Sequence, residues 1–173
     1  MNYWIFCCNP EKYLLDKRLA DAGARRQTTQ TTWRVNQYRE KIQAGDVAFI
    51  WETGKKAGIR ARILINSEPR DDMPEMPHEL PYYVRHDCGD GLSSAPCMRV
   101  EAIIEATTAN LPCDKVKNTQ GLENMKIFRD WRHTNCEITE DEGKILCKLL
   151  ADCGCQDLYL GWRICLQRLS FVE

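Results

Sequence analysis

The stretch TWRVNQYREKIQAGDVAFIWETGKKAGIRA, residues 32–61, organises the rest of the chain. Apolar residues four positions apart predict a short helix over 36–44, which a Gly-Asp pair ends. An apolar run over 47–51, rich in residues typical of strands, predicts a buried strand after it. Trp33 precedes the predicted helix and Trp51 ends the predicted strand. Because both rings fall at the ends of elements, we expect them to form the walls of a pocket.

The flanking pattern predicts a small antiparallel sheet with helices around it. The elements do not alternate as strand and helix, which argues against a long parallel sheet and favours an α+β class, with a small, mostly antiparallel β-barrel and flanking helices. A polar segment, 24–32, is expected to be a loop, and the proline-rich 67–81 a solvated surface loop. Strands are predicted over 3–8, 47–51, 59–65, 82–85 and 98–106, and helices over 10–21, 36–44 and 139–154.

Length and charge limit the kinds of protein this can be. The chain has 173 residues, 43% of them hydrophobic, and a net charge of -1. We expect one domain over 1–173, in which 151–173 form a C-terminal extension. A net charge near zero argues against general coating of nucleic acid, which would require a local basic patch. No apolar run approaches the roughly 20 residues of a membrane span, so we expect a cytoplasmic protein with no membrane partner.

The ten cysteines leave a second interpretation open. Their spacing is irregular and no signal peptide precedes them, so reduced thiols are favoured over a disulfide framework. No CxxC pair occurs, which argues against a structural zinc site. Cys153 and Cys155 nevertheless allow an alternative in which the protein is a thiol-rich interaction or redox-responsive protein with a vestigial pocket.

Catalytic patterns are missing from the sequence. The three histidines lie in predicted loops, without the spacing of a triad or of a metalloprotease helix. The acids of 67–81, among them Glu75 and Glu79, have no basic partner at a fixed spacing and are expected to be solvated. No glycine-rich segment has the context of a phosphate loop. We therefore expect no enzyme activity, no cofactor and no metal.

A binding site fits the residues better. Trp33 and Trp51 offer aromatic faces, while Asn9, Asn36 and Thr53 both donate and accept hydrogen bonds. A nucleobase is a flat aromatic ligand with polar edges and would suit this combination. Basic side chains are available to contact nucleic-acid phosphates. These candidates for backbone contacts are Arg25, Arg26, Arg34, Lys55, Lys56 and Arg132.

Several blocks resemble one known family, the EVE domain of the PUA-like superfamily, which is related to the YTH and ASCH domains. The shared features are a first strand ending in Asn9-Pro10, the Trp33 position, and the Gly-Asp pair that leads to Trp51. Gly58-Ile59 opening the next strand and the capping box at 139–142 extend the resemblance to about residue 150.

The resemblance implies a fold and a function. It implies a PUA-like barrel without catalytic activity that recognises a modified base in DNA or RNA, such as methylated or hydroxymethylated cytosine or N6-methyladenine, sometimes beside a nuclease partner. It places Trp33 and the Trp51–Thr53 strand end at the base, with Cys8-Asn9 facing the same cavity. In much of the family an Arg-Asn pair follows the Trp, whereas here Arg34 comes first. Val35 and Asn36 follow, so the resemblance leaves open which of these three side chains reads the base edge.

Overall fold

The computed structural model describes residues 1–24, 28–84, 97–129, 134–153 and 156–157. Among these residues the chain forms a sheet of seven strands with three α-helices and two short 3-10 turns. None of the described helices is long and apolar enough to cross a membrane. The elements are β1 (Tyr3–Cys8), α1 (Leu15–Gly23), β2 (Gln30–Arg34), β3 (Val47–Glu52), β4 (Gly58–Ile65), β5 (Arg99–Pro112), α2 (Cys113–Lys117), β6 (Asn135–Ile138), α3 (Glu140–Asp152) and β7 (Gln156–Asp157).

The sheet is mixed and curled. Its strand order is β2-β5-β4-β3-β1-β6, and β7 pairs with β5 outside this path. The pair β1 and β3 is parallel, and every other pair is antiparallel. The curl brings the two edge strands, β2 and β6, close enough for side-chain hydrogen bonds between them. The predicted α+β class, with a mostly antiparallel, barrel-like sheet and flanking helices, is confirmed.

Side chains alternate between two apolar faces of this sheet, as the pleat requires. One face packs against α2 and α3, and we call it the α3 face; the other packs against α1, and we call it the α1 face. The α3 face includes Tyr3, Ile5, Val47, Phe49, Trp51, Ile59, Leu111, Val116, Leu146 and Leu150. The α1 face includes Trp4, Phe6, Cys8, Leu15, Leu19, Ala48, Ile50, Ala61, Ile63 and Val100.

Helix α3 begins as its sequence predicts and packs closely on β1. The Thr139 hydroxyl accepts a hydrogen bond from the Glu142 amide at 3.2 Å, and a Glu142 carboxylate oxygen accepts one from the Thr139 amide at 2.7 Å. This reciprocal capping box satisfies two amides at the helix start. One turn later Gly143 faces the ring of Tyr3 so closely that any side chain would overlap it. The missing side chain therefore lets α3 approach the sheet.

The predicted helix over 36–44 is wrong. The segment forms turns instead, and Tyr38 has a φ of 58°, in the left-handed region that a helix cannot use. The Asn36 amide donates to the Asn135 side chain, a long-range partner that replaces a helical one. The predicted loop over 24–32 is also partly wrong, because β2 begins at Gln30 and pairs with β5.

Smaller corrections follow from local hydrogen bonds. Helix α1 begins at Leu15 rather than near Pro10, because the Asn9 carbonyl turns the chain by accepting the amides of Lys12 and Tyr13. The predicted strand over 82–85 reduces to a single bridge between Tyr13 and Tyr83, in the part that the structure describes. The predicted strand over 98–106 extends further, because β5 runs to Pro112 and leads directly into α2. Most of the C-terminal extension, after residue 157, lies outside the described residues.

Candidate functional site

The two tryptophans lie on opposite faces of the sheet. Trp51 is 4% exposed and packs on the α3 face, edge-on to Phe128 at 5.9 Å between ring centroids. Trp33 is half-buried and packs against the α1 face. The predicted pocket with Trp33 and Trp51 as its two walls is therefore wrong. Strand alternation is the reason, since Trp51 points to the same side of β3 as Val47 and Phe49.

Trp33 is instead a partly buried ring with aromatic neighbours. The Phe6 ring lies nearly parallel to it, at 27° and 6.5 Å between centroids. The Tyr13 ring meets it edge-on at 76° and 6.2 Å. Tyr13 is in turn contacted edge-on by Tyr83 at 5.0 Å. Aromatic neighbours thus hold the Trp33 ring, which remains partly accessible to solvent.

A buried carboxylate fixes the tyrosine beside Trp33. Glu79 is 1% exposed; it accepts a hydrogen bond from the Tyr13 hydroxyl and pairs with the Arg18 Nε at 3.0 Å. Arg18 Nη2 also donates to the Gln30 carbonyl at 2.8 Å, which anchors the start of β2. Burial, and then the Glu79 charge, raise the pKa of Tyr13, so its hydroxyl stays a donor. The expectation that Glu79 is solvated is wrong, because Glu79 is buried and paired with Arg18. The sequence did not show this pair, since the two residues are 61 positions apart.

A second acid from the same proline-rich segment has a similar role. Glu75 accepts hydrogen bonds from the hydroxyls of Thr32 and Tyr83 and pairs with the Arg99 Nη1 at 2.5 Å. Burial and the Glu75 charge raise the pKa of Tyr83. Glu75 therefore ties this segment to β2 and β5 and orients the second tyrosine. The prediction of a solvated position was wrong for Glu75 as well.

The edges of the sheet meet at a polar junction next to Trp33, which we call the seam. Asn135 is fully buried; its Oδ1 accepts the Asn36 amide at 2.9 Å, and its Nδ2 donates to the Arg34 carbonyl at 3.3 Å. Gln37 Oε1 accepts the Thr134 hydroxyl at 2.8 Å. One side chain of β6 thus holds the segment that follows Trp33. Sequence reasoning missed Asn135, since nothing near it in the chain marks it.

The three residues predicted to read a base edge differ in their exposure at the seam. The side chains of Arg34 and Asn36 are exposed there. Val35 is fully buried, and its amide donates to the Met98 carbonyl at 2.9 Å. A buried valine cannot touch a ligand outside the core, so its predicted contact with a base is corrected.

The other predicted base contacts cluster at the end of β1. The amide and the hydroxyl of Thr53 both donate to the Cys8 carbonyl, at 2.9 and 3.2 Å. Asn9 is exposed, and its Oδ1 accepts the Glu11 amide at 2.9 Å. Cys8 is 4% exposed on the α1 face, and burial raises the pKa of its thiol, with Glu52 adding to the effect. Cys8 therefore shapes the apolar wall on the side where Trp33 packs.

The predicted phosphate contacts divide into three groups. Arg34 is exposed at the end of β2, beside the seam. Lys55 and Lys56 are exposed in the turn that joins β3 and β4. The remaining three candidates, Arg25, Arg26 and Arg132, lie outside the described residues.

The described cysteines are free thiols. In the ranges the structure covers, no three His, Cys, Asp or Glu side chains converge as metal ligands. Burial raises the pKa of Cys7 to about 12 and also raises that of Cys113, so both thiols are protonated at neutral pH. Cys153 Sγ lies 3.0 Å from the Lys115 Nζ, while Cys155 is outside the described residues.

Comparisons with known proteins agree with this architecture. The sequence model of the EVE domain matches residues 2–149. A hypothetical protein from Leishmania major is 16% identical, with a TM-score of 0.60 over 88% of this chain and 96% of that one. Human THYN1, in complex with DNA containing 5-methylcytosine, is 19% identical, with a TM-score of 0.59 over 86% and 97%. Rpa0253 from Rhodopseudomonas palustris is 18% identical, with a TM-score of 0.57 over 86% and 92%.

These structures share the fold of this chain at low identity. No relative among curated proteins matches it. The family match covers most of the length, from the start of β1 to within α3, and confirms the resemblance seen in the sequence. The chain belongs to the EVE domain family.

Proposed function

We propose that this chain is a non-catalytic module that binds nucleic acid carrying a modified base, and that the base stacks on Trp33 beside the seam. The observation that carries the proposal is the half-exposed Trp33 ring, held by Phe6 and Tyr13 and followed by an exposed Asn36. Membership of the EVE family supports it, as does the methylcytosine DNA bound by the THYN1 structure. An effector such as a nuclease could act on the same nucleic acid.

The roles of the site residues follow from their exposure. Trp33 supplies a single stacking face, while Asn36, Asn9 and Thr53 carry polar groups suited to the base edge. Cys8 and Val35 support the wall from inside. Trp51 has no contact with the base. In this proposal the basic candidates Arg25, Arg26, Arg34, Lys55, Lys56 and Arg132 contact phosphates.

Magnitudes indicate where selectivity must arise. Stacking of a base on an aromatic side chain contributes about 1–3 kcal/mol. Burial of one methyl group contributes about 0.8 kcal/mol, roughly a fourfold preference. Extruding a base from a duplex costs a few kcal/mol. A single platform therefore offsets extrusion only in part, and a stronger preference requires hydrogen bonds from side chains such as Asn36 that form when the base is fully seated.

The test is a titration, at one fixed salt concentration, of DNA containing 5-methylcytosine, 5-hydroxymethylcytosine or N6-methyladenine against unmodified DNA. We expect at least a fourfold preference for one modification. Trp33→Ala should weaken binding of that DNA by about 5- to 150-fold, the equivalent of the stacking term, and remove the preference.

The matched control is Trp51→Phe, which changes the other tryptophan but keeps an aromatic ring in the core. It should leave the preference intact, and thermal unfolding should show that both variants are folded. Equal affinities for all four DNA types would contradict the proposed function. A preference lost in Trp51→Phe but kept in Trp33→Ala would contradict the assignment of the site to Trp33.

A further inference from the structure

A strained tyrosine marks a surface next to the seam. Tyr38 adopts a φ of 58°, in the left-handed region that is unfavourable for a residue with a bulky side chain. Its ring packs on Trp4 at 5.5 Å between centroids, and its carbonyl accepts the amides of Lys41 and Ile42 at 3.0 and 3.1 Å. These contacts hold the ring in one place despite the strain, so Tyr38 presents a fixed aromatic group at the surface.

Two lysines from different parts of the chain converge on that ring. Lys126 Nζ lies 2.5 Å from the Tyr38 hydroxyl oxygen and 5.3 Å from the ring centroid. Lys41 Nζ lies 5.7 Å from the same centroid. Both side chains are exposed. The Tyr38 hydroxyl oxygen accepts a hydrogen bond from the Lys126 ammonium and the ring contacts the Lys41 ammonium, so one tyrosine brings the two charges near each other.

Two ammonium groups meet at this ring, although the whole chain has a net charge of -1. The exposed acids close to these residues in the chain are Glu40 and Glu123. Lys41 pairs with Glu137 at 3.0 Å, but the two side chains are 61% and 42% exposed, so the pair is weak and open to exchange. We call this group the Tyr38 surface: it consists of Tyr38 with Lys41 and Lys126, and Arg34 and Arg39 are exposed basic side chains close by in the chain.

The Tyr38 surface continues directly from the seam. Gln37, the residue before Tyr38, accepts hydrogen bonds from the Thr134 hydroxyl at 2.8 Å and from the Asn135 amide at 3.3 Å. Asn135 also holds the carbonyl of Arg34, an exposed residue between Trp33 and Tyr38 in the chain. A strand with one base on Trp33 would therefore run its neighbouring phosphates over these basic side chains.

We propose that the Tyr38 surface binds the phosphodiester backbone of the nucleic acid whose base stacks on Trp33. The identity of the ligand rests on the proposed function. Lys41 and Lys126 are point charges that neutralise phosphates without reading sequence or modification. The Tyr38 surface thus contributes affinity, and Trp33 with the seam contributes selectivity.

The experiment compares two double variants in binding duplex DNA, with and without one 5-methylcytosine, across a range of salt concentrations. Lys41→Gln with Lys126→Gln removes the two converging charges. Lys144→Gln with Lys148→Gln removes two charges from α3, where Lys144 also forms an exposed pair with a glutamate, Glu140, at 2.9 Å. The first variant should weaken binding of both DNAs by the same factor, about tenfold. The variant should also make the fall of log affinity with log salt less steep, by about one unit of slope per lysine.

The control pair should leave both the affinity and the slope within error of the parent protein. A third pair, Lys55→Gln with Lys56→Gln, tests the competing basic turn. The inference is overturned if the Lys41 and Lys126 variant keeps the parent slope, if the α3 control falls equally, or if no DNA binds even at low salt. A slope change without any preference for 5-methylcytosine would sustain the Tyr38 surface and refute the proposed base site.

Discussion

Trp33 and Trp51 occupy similar places in the sequence but opposite faces of the sheet. On the α3 face Trp51 is sealed among aliphatic and aromatic side chains from β1, α2 and α3. On the α1 face Trp33 is left half-exposed, although Phe6 and Tyr13 support it. A large aromatic ring at the end of an element is thus a core residue on one face and a candidate binding platform on the other.

Buried carboxylates support the rings around Trp33. Next to Trp33 the chain buries Glu75 and Glu79, each accepting a hydrogen bond from a tyrosine hydroxyl and pairing with an arginine. Such carboxylates hold neighbouring rings in one orientation because their hydrogen bonds are directional and charge-assisted. The α3 face shows a close approach of Gly143 to Tyr3, and it too has a buried ion pair on its side of the sheet, between Arg62 and Glu105 at 3.3 Å. What distinguishes the surroundings of Trp33 is therefore the pairing of each carboxylate with a tyrosine hydroxyl as well as an arginine.

The largest expected effect is the loss of unfolding free energy when each tryptophan is replaced by alanine. Trp51→Ala should lower the free energy of unfolding by about 3–5 kcal/mol, because it leaves a cavity in a closed core. Trp33→Ala should cost roughly half as much, since water already reaches part of the ring. Urea denaturation monitored by circular dichroism measures both values. If Trp33→Ala proves as costly as Trp51→Ala, the two rings do not differ in burial and the comparison fails.

The seam offers a smaller and more local effect. Asn135→Ala removes the side-chain partners of the Asn36 amide and the Arg34 carbonyl, so we expect a loss of about 1–3 kcal/mol in unfolding free energy. Binding of modified DNA should weaken as well, because the segment after Trp33 is no longer held. Asn66→Ala, at an exposed asparagine, is the matched control and should change neither quantity. Wild-type selectivity in Asn135→Ala would show that the seam does not position the site.

Local sequence signals predicted the elements that depend on local chemistry. The apolar runs of β1, β3 and β4 and the capping box of α3 were found with nearly correct bounds, because hydrophobicity and capping act over a few residues. The family resemblance supplied the architecture. Trp33 and Asn36 were recognised as candidates from their type and position.

Long-range contacts decided what the sequence could not show. The face to which Trp51 points depends on the pairing of β3 with its neighbours, and a register shift beside Trp51 lies between β3 and β4. Ile59 and Ala61 consequently reach opposite faces, although simple alternation would place them together. Residues 36–44 have helical spacing, but the hydrogen bonds from β6 and the strained Tyr38 prevent a helix. Glu79 can be buried because its charge is paired with that of Arg18, which lies 61 residues earlier in the sequence.

The smallest expected effect is a pH dependence of the unfolding free energy caused by Cys7. Its neighbour Cys8 lies on the other face of the sheet. Cys7 packs against the α3 face, and burial raises its pKa from 9.0 to about 12, with nearby Cys136 adding to the shift. Above pH 9 the unfolded chain releases this proton while the folded chain keeps it, so stability falls as pH rises. Between pH 8 and 10 the thiol should remove about 1.4 kcal/mol of unfolding free energy.

Cys7→Ala lacks this loss, so the stability difference between the parent protein and Cys7→Ala should change by that amount in urea melts at the two pH values. Taking the difference cancels the contributions of Tyr13 and Tyr83, whose pKa values burial also raises. A difference independent of pH would mean that water reaches Cys7 and that the α3 face is more open than its packing indicates.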